Sequence, residues 1–479
     1  MKVSTTLKSL SSVKNEYVRV VFDVKGSERV VENGKVRELH VVAGKLDKLT
    51  HRTFRTLVRE IVMSAKKHKL GKIAVEFDFK KLTGLSEYGE NWMWQNIAEN
   101  IVLAQYEFTK YKSKTPKVTL REVLLTNVSK GESTQAVAQG LVIGDYANKC
   151  RDIANTPGGD MTPELLGKAA KEVLKGTKAT VKVLNEKEIA KLKMGGLLGV
   201  GSGAKDKPRF IILEYKGKSP VTSHQSSVTK NGKLKTANKQ PVVFVGKGIT
   251  FDTGGLQIKP GMAMYEMHMD MSGGAAVIGA IGAIAKLGLP GHFIGLIPAA
   301  ENAISDRAIR PGDVLRMMSG LTVDVLHTDA EGRLVLADAL HYAKQFKPRL
   351  VIDVATLTGA ALVAVGQHAH IIMTKERELE DTLRELGEES GDYVFPLPLW
   401  DEYKAYTKGI HGDIANIPAG DPKGAGSING GMFLSHFTKG LKWVHIDMAP
   451  RMTSVASDKL AKGAAGEPVR LLVTIAKRM

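Results

Sequence analysis

From Met161 to the C-terminus, short β-branched runs alternate with stretches of helical spacing, and this alternation limits the fold more than any other feature. The runs are Ala179–Leu184, Arg209–Tyr215, Pro241–Gly246, His292–Ile297, Leu321–Leu326, Leu350–Ala355, His370–Met373 and Trp443–Met448. Strands separated by helices predict a large α/β domain built on a central, mostly parallel (mixed) sheet. Upstream, strand-like runs at Tyr17–Val24, Glu38–Val42, Ile73–Phe77 and Val118–Leu125 interleave with helical spacing over Thr53–His68 and Asn91–Ala104. They predict a smaller N-terminal α/β domain. A helical stretch from Gln135 to Asn155 stops at Asn155-Thr156-Pro157-Gly158-Gly159, a cluster of breakers. The expected organisation is an N-terminal α/β domain over residues 1–133, a connecting helix and boundary over 134–158, and a larger C-terminal α/β domain over 159–479. With 479 residues, 43% of them hydrophobic, the chain can bury two or three cores, which excludes disorder as its main state.

The single Cys150 excludes a disulfide framework within the chain and any zinc site of several thiolates. It fits a reducing compartment. The longest apolar run, Ala275 to Leu289, is interrupted by Lys286 and is shorter than the roughly 18–20 residues a membrane span requires. The opening residues lack the apolar segment of a secretory signal. The expected location is the cytoplasm. Net charge is +18, of which residues 1–150 carry +10. A basic, solvated surface accounts for this more simply than a nucleic-acid face, because no nucleic-acid motif or aromatic groove accompanies the charge. The segment Tyr215–Gln240 holds six lysines, no acid between its ends, and an Asn231-Gly232 hairpin signal, and reads as a polar surface insertion.

Two strands end in unusual residues. One gives Val245-Gly246-Lys247-Gly248-Ile249-Thr250-Phe251-Asp252-Thr253-Gly254-Gly255; the other gives Leu326-His327-Thr328-Asp329-Ala330-Glu331-Gly332-Arg333. Open α/β sheets bind ligands beyond the carboxyl ends of their strands, where both clusters are expected. Asp270 precedes the small-residue helix Ser272–Leu287. Asp252, Asp270, Asp329 and Glu331 can therefore meet at one sheet edge. Four carboxylates repel one another unless cations neutralise them. Two divalent ions would do so, and carboxylate ligation suits Mg²⁺, Mn²⁺ or Zn²⁺. Lys247 can ligate a metal only as a neutral amine, far below its usual pKa of about 10.4. The same acids beside turn glycines also read as surface side chains, and the residues alone leave both readings open.

The first segment, continued by Ile258-Lys259-Pro260, and the run Thr328-Asp329-Ala330-Glu331-Gly332-Arg333-Leu334 resemble the signatures of the leucyl aminopeptidase (cytosol aminopeptidase) family. The intervals from Lys247 to Asp252, Lys259, Asp270 and Asp329 match as well. The likeness continues through Ala355-Thr356-Leu357-Thr358-Gly359-Ala360 to Gly466-Glu467-Pro468-Val469-Arg470, spanning residues 140–479. It implies a two-metal exopeptidase acting through a metal-activated water. By that resemblance Asp252 and Glu331 bridge the ions, Asp329 completes one site, and Lys247 with Asp270 completes the other. Lys259 is assigned to the oxyanion and Arg333 to a bicarbonate ion that relays a proton. The backbone at Leu357 and Gly359 holds the substrate chain. Met267, Thr356, Gly359, Ala449 and Met452 form a first-residue pocket suited to leucine and methionine. Short peptides with a free N-terminus are the implied substrates, and a homohexamer the implied assembly.

His327 departs from the family pattern, which has asparagine there. It can donate a comparable hydrogen bond, titrate near neutrality or alter substrate fit, and a satisfied structural role is favoured over a metal ligand because the acids suffice. Of Met262, Met264, Met267, Met269 and Met271, all but Met267 are expected to fill core. The segment Gly199–Lys205 lacks the ending of a phosphate loop and reads as a turn-rich loop. No His-Glu-x-x-His helix and no Gly-x-Ser-x-Gly elbow occurs, which argues against the common zinc-protease and serine-hydrolase arrangements.

Overall fold

A computed structural model describes residues 1–114, 119–218, 240–420 and 424–478. The Asn231-Gly232 hairpin signal lies outside the described residues. The chain divides into two compact units, Met1–Asn148 with Ser454–Gly463, and Lys149–Thr453 with Ala464–Met479.

The first unit holds the strands β1 (Lys2–Thr5), β2 (Val18–Asp23), β3 (Arg29–Asn33), β4 (Val36–Val42), β5 (Lys72–Val75) and β6 (Glu122–Leu125). They form one sheet in the order β1-β6-β5-β2-β4-β3, parallel except where β3 runs antiparallel to β4. Helices α1 (His51–Lys67) and α2 (Gly89–Gln105) pack on each other and contribute Phe54, Ile61, Trp94 and Ile97 to its core. Thr50 caps α1 through the Thr53 backbone N–H, the local reason that the helix begins there. Helix α3 (Glu132–Asn155) carries the chain from the first unit into the second.

In the second unit come α4 (Pro163–Leu174), β7 (Thr180–Leu184), α5 (Glu186–Lys191), α6 (Gly195–Val200), β8 (Arg209–Gly217), β9 (Val242–Gly246), β10 (Gly248–Asp252), α7 (Ser272–Leu287) and β11 (Gly291–Asn302). These are followed by β12 (Val314–Arg316), β13 (Thr322–Asp324), α8 (Gly332–Ala343), β14 (Leu350–Ala355), α9 (Gly359–Val365) and β15 (His370–Met373). The chain closes with α10 (Arg377–Ser390), β16 (Val394–Pro396), β17 (Ile414–Ala415), α11 (Gly426–Ser435), β18 (Trp443–Asp447) and α12 (Val469–Arg478). The main sheet has the order β16-β15-β18-β14-β9-β11-β8-β7, with β10 added beside β11. Its centre, β18-β14-β9-β11, is parallel, and antiparallel pairs lie outside it. A small sheet, β12-β13-β17, stands apart. The fold is thus a two-domain α/β arrangement with mixed sheets.

Strands β9 and β14 are buried along their whole length, as unbroken apolar runs covered on both faces should be. The pleat sends Val243, Val245, Leu296 and Val351 into a core shared with Leu334 and Leu340 of α8. Phe244 and Gly295 pair in register and face the other way, toward α7; a Cβ built on Gly295 would lie 2.8 Å from Val277 Cγ1. Helix α7 is rich in glycine and alanine because it lies against backbone. At Gly273 a Cβ would meet the Val354 carbonyl oxygen at 2.1 Å.

Two readings need correction. The segment from Gly199 is not simply a turn-rich loop: α6 extends to Val200, and only Gly201–Gly203 forms a tight turn. Gly196 and Gly199 let α6 pack closely on the Leu334 carbonyl and on Leu315. Among the methionines, Met269 and Met271 are buried, but Met262 is 77% exposed and Met264 half-buried, so core filling fails for those two.

Candidate metal centre

Strand β9 ends at Gly246, and the chain passes through Lys247 directly into β10, whose last residue is Asp252. Strand β14 ends beside them, with Lys247 N donating to the Val354 carbonyl. Lys247 Nζ lies 2.8 Å from both Asp270 Oδ2 and Glu331 Oε1, and donates to the Thr356 carbonyl at 3.0 Å. Lys259 Nζ lies 2.8 Å from Asp252 Oδ2 and 2.5 Å from Asp329 Oδ1. All four acids therefore converge with two lysines. Gly332, between Glu331 and Arg333, leaves room for this packing: a Cβ there would stand 2.5 Å from Lys247 Cε.

The electrostatics follow from burial. It pushes Asp270 up to about 8 and Asp329 up to about 6, and raises Glu331, with Asp252 adding repulsion in each case. Burial opposes the charge on both lysines, yet the surrounding carboxylates hold Lys247 and Lys259 above the usual lysine range. For Lys247 this is opposite to the downward shift that ligation through a neutral amine demands; a dication among the same acids reverses that field. Burial lowers Arg333 to about 10, which still leaves it charged at neutral pH.

Further residues hold the acids in place. Asp252 Oδ1 accepts from Gly254 N at 2.9 Å and from Asn302 Nδ2 at 2.8 Å. Thr356 Oγ1 donates to Asp270 Oδ1 at 2.7 Å. The Leu357 N–H donates to Asp447 Oδ1 at 3.2 Å, and Thr358 Oγ1 to Asp447 Oδ2 at 2.6 Å. That fixes the segment leading to Gly359, the first residue of α9. Ala449 N donates to the same Asp447 Oδ1, and the turn Ala449–Arg451 packs against α9. Met452 follows that turn, while Met267 opens the turn Met267–Met269, which packs on β10. Both are half-buried. His327 Nδ1 accepts from Asp329 N at 3.2 Å. Burial, followed by Lys259 and Arg333, lowers its pKa.

Sequence reasoning missed Asn302, Asn416 and Asp447. Asn302 ends β11 and Asp447 ends β18, so a carboxyl strand end was an available signal for both. Asn416 carries no such mark.

Residues 148–473 match the family model described as the cytosol aminopeptidase family, catalytic domain, and residues 29–115 match its N-terminal domain. The chain belongs to the cytosol aminopeptidase family. It is 42% identical over 385 residues to a "Probable cytosol aminopeptidase" of Alcanivorax borkumensis, covering 80% of this chain and 74% of that one. A protein of the same name from Paraburkholderia phymatum is 39% identical over 444 residues, 92% of this chain and 83% of the relative. Among solved structures, a tomato leucine aminopeptidase variant superposes with a TM-score of 0.86 at 25% identity, covering 100% of this chain and 97% of that one. The bottromycin maturation enzyme BotP in complex with Mn gives 0.82 at 28% identity, covering 97% and 99%.

As a member of this family, the chain is a metal-dependent aminopeptidase-type hydrolase. Its residues fit the metal: Asp252, Asp329 and Glu331 can each offer an oxygen within 4.8 Å of the others. An oxygen-rich donor set of this kind suits hard or borderline divalent cations.

Proposed function

We propose that this chain removes the N-terminal residue, preferably leucine, methionine or another apolar residue, from short peptides with a free α-amine. The catalytic domain is assigned to residues 159–479. The observation that carries the reading is the convergence of Asp252, Asp329 and Glu331 beside Asp270, Lys247 and Lys259.

Asp252 and Glu331 are assigned as ligands common to two divalent ions, Zn²⁺ or Mn²⁺ with Mg²⁺ also compatible. Asp329 belongs to one site, and Asp270 with Lys247 to the other. Bound there, the ions supply Lewis acidity and lower the pKa of a water toward neutrality. Lys259 contributes a fixed positive charge toward the developing oxyanion, and such a charge stabilises the transition state more than the ground state. Arg333, charged and planar, is assigned to hold bicarbonate for proton relay. The backbone at Leu357 and Gly359 holds the substrate chain in the orientation that Asp447 fixes. Met267, Thr356, Gly359, Ala449 and Met452 form the first-residue pocket, where flexible thioethers accept several apolar side chains. The relatives' name supports a cytoplasmic location, and the family resemblance a homohexamer.

Metal analysis tests the assignment. Dialysis against Mn²⁺ or Zn²⁺ should load two ions per chain, and Asp329→Ala should lose both the second ion and leucine amide turnover. Full turnover by Asp329→Ala would show that the site is misassigned.

A further inference from the structure

Asn416 ties the acid loop 326–330 to Arg333 from about ninety positions away in sequence. It is fully buried, and its amide is satisfied on both sides. Oδ1 accepts from Leu326 N at 2.8 Å and His327 N at 3.2 Å. Nδ2 donates to the His327 carbonyl at 2.7 Å and to the Ala330 carbonyl at 3.4 Å. One amide group thus spans the backbone from 326 to 330, the loop that presents Asp329 and leads into Glu331. The residue's own main-chain carbonyl accepts from Arg333 Nη1 at 2.6 Å, and its N–H donates to the Asp324 carbonyl at 3.0 Å.

The placement is built in. Strand β17 pairs in parallel with β13, with Val323 opposite Ile414 and Asp324 opposite Ala415, so the next residue falls beside the end of β13. The carboxylate of Asp324 holds the approach to β17 by accepting from the N–H groups of Ile410, His411 and Gly412. A hydrophobic residue of similar size at 416 would leave the Leu326 and His327 N–H groups and the His327 and Ala330 carbonyls without this partner. Only a group with both an acceptor and donors serves all four, and asparagine is the smallest side chain that has them.

We infer that Asn416 is a positioning residue that sets the distance and orientation of Arg333 relative to Asp329 and Glu331, an inference that rests on the aminopeptidase reading above. Its side-chain hydrogen bonds go to the loop backbone and to none of the candidate ligand side chains. Its side chain fixes the acid loop, its main chain fixes the guanidinium, and loss of the first uncouples the two. Groups that orient metal ligands in this way typically change affinity or activity about 10- to 100-fold when removed.

The test uses the full-length chain and the variants Asn416→Ala and Asn416→Asp, with Mn²⁺ as the probe. The aspartate keeps the shape and the acceptor but sets an oxygen against the two carbonyls. Both variants should bind Mn²⁺ about 10- to 100-fold more weakly and lose kcat on leucine amide to a similar extent. KM should change by less than about threefold, since uniform substrate binding is untouched. Amide hydrogen exchange gives a reading that needs neither turnover nor metal. In the parent, the Leu326 and His327 amides should be protected like core strands, and in Asn416→Ala they should exchange at least about tenfold faster. Unchanged Mn²⁺ affinity in a folded variant, or loop-like exchange of those two amides in the parent, would overturn the inference. A parent that exchanges as expected but never turns over leucine amide would instead contradict the aminopeptidase reading and leave the positioning role standing.

Discussion

At the scale of single residues, the centre is a set of buried charges whose neighbours decide their state. Lys259 stays cationic because Asp252 and Asp329 outweigh its burial. Lys259→Gln removes the fixed charge and should lower kcat on leucine amide by a factor on the order of 10²–10³, with little change in KM. A fall in KM-dependent binding alone would place Lys259 outside the reaction. His327 accepts the Asp329 N–H through Nδ1, a bond that an asparagine oxygen can also make. His327→Asn should therefore keep kcat and melting temperature near the parent's, whereas His327→Ala should cost about 1 kcal/mol of stability by urea titration, the value of one such bond. Lys247, Asp252, Asp329 and Glu331 stood out in the sequence because they follow strand ends or abut glycines, whereas the roles of Lys259 and Arg333 came from the family resemblance. Asn416 was not legible, since its value depends on a partner brought by a distant strand: it reaches the acid loop from β17, whereas Asn302, which reaches Asp252, sits at a strand end that could have flagged it.

At the scale of elements, unbroken apolar runs were the readable signal. Strands β9 and β14 and helix α7 match their expected spans closely because burial on all sides leaves little freedom in their composition. The short strands β10, β12, β16 and β17 escaped notice. Strand β10, with the sequence GITFD, has one glycine and one acid in five residues, and it pairs with β11 through an irregular register. The edge strand β1, KVST, is too polar to announce itself. The segment that delivers Asn416 hangs on Asp324. Burial would raise that carboxyl, but the N–H groups of His411, Ile410 and Gly412 outweigh it and lower its pKa. A carboxylate depressed in the folded state stabilises above its unfolded pKa and loses that contribution as pH falls through the folded value. The stability gap between the parent and Asp324→Ala should therefore be full above about pH 5 and narrow as pH falls from there through the depressed folded value, read from melting temperatures. A gap constant across that range would show that the charge does not hold the segment.

At the scale of the whole molecule, the order of two α/β units was foreseeable from the alternation of runs and the breaker cluster after Asn155. That Ser454–Gly463 belongs with the first unit was not, because no local pattern marks a short stretch that leaves one unit for another. Assembly is likewise invisible in local patterns. The family resemblance predicts a mass by light scattering of six chains, and a monomeric mass would contradict it. Converging acids that hold metals should act only on a peptide with a free α-amine. The most direct measurement is the initial rate on leucine amide with added Mn²⁺ or Zn²⁺, beside N-acetyl-leucine amide and a chelated control. Turnover of the free-amine substrate alone is expected, abolished by chelation and restored by metal. Turnover that survives metal removal, or that proceeds equally on the acetylated substrate, would contradict it.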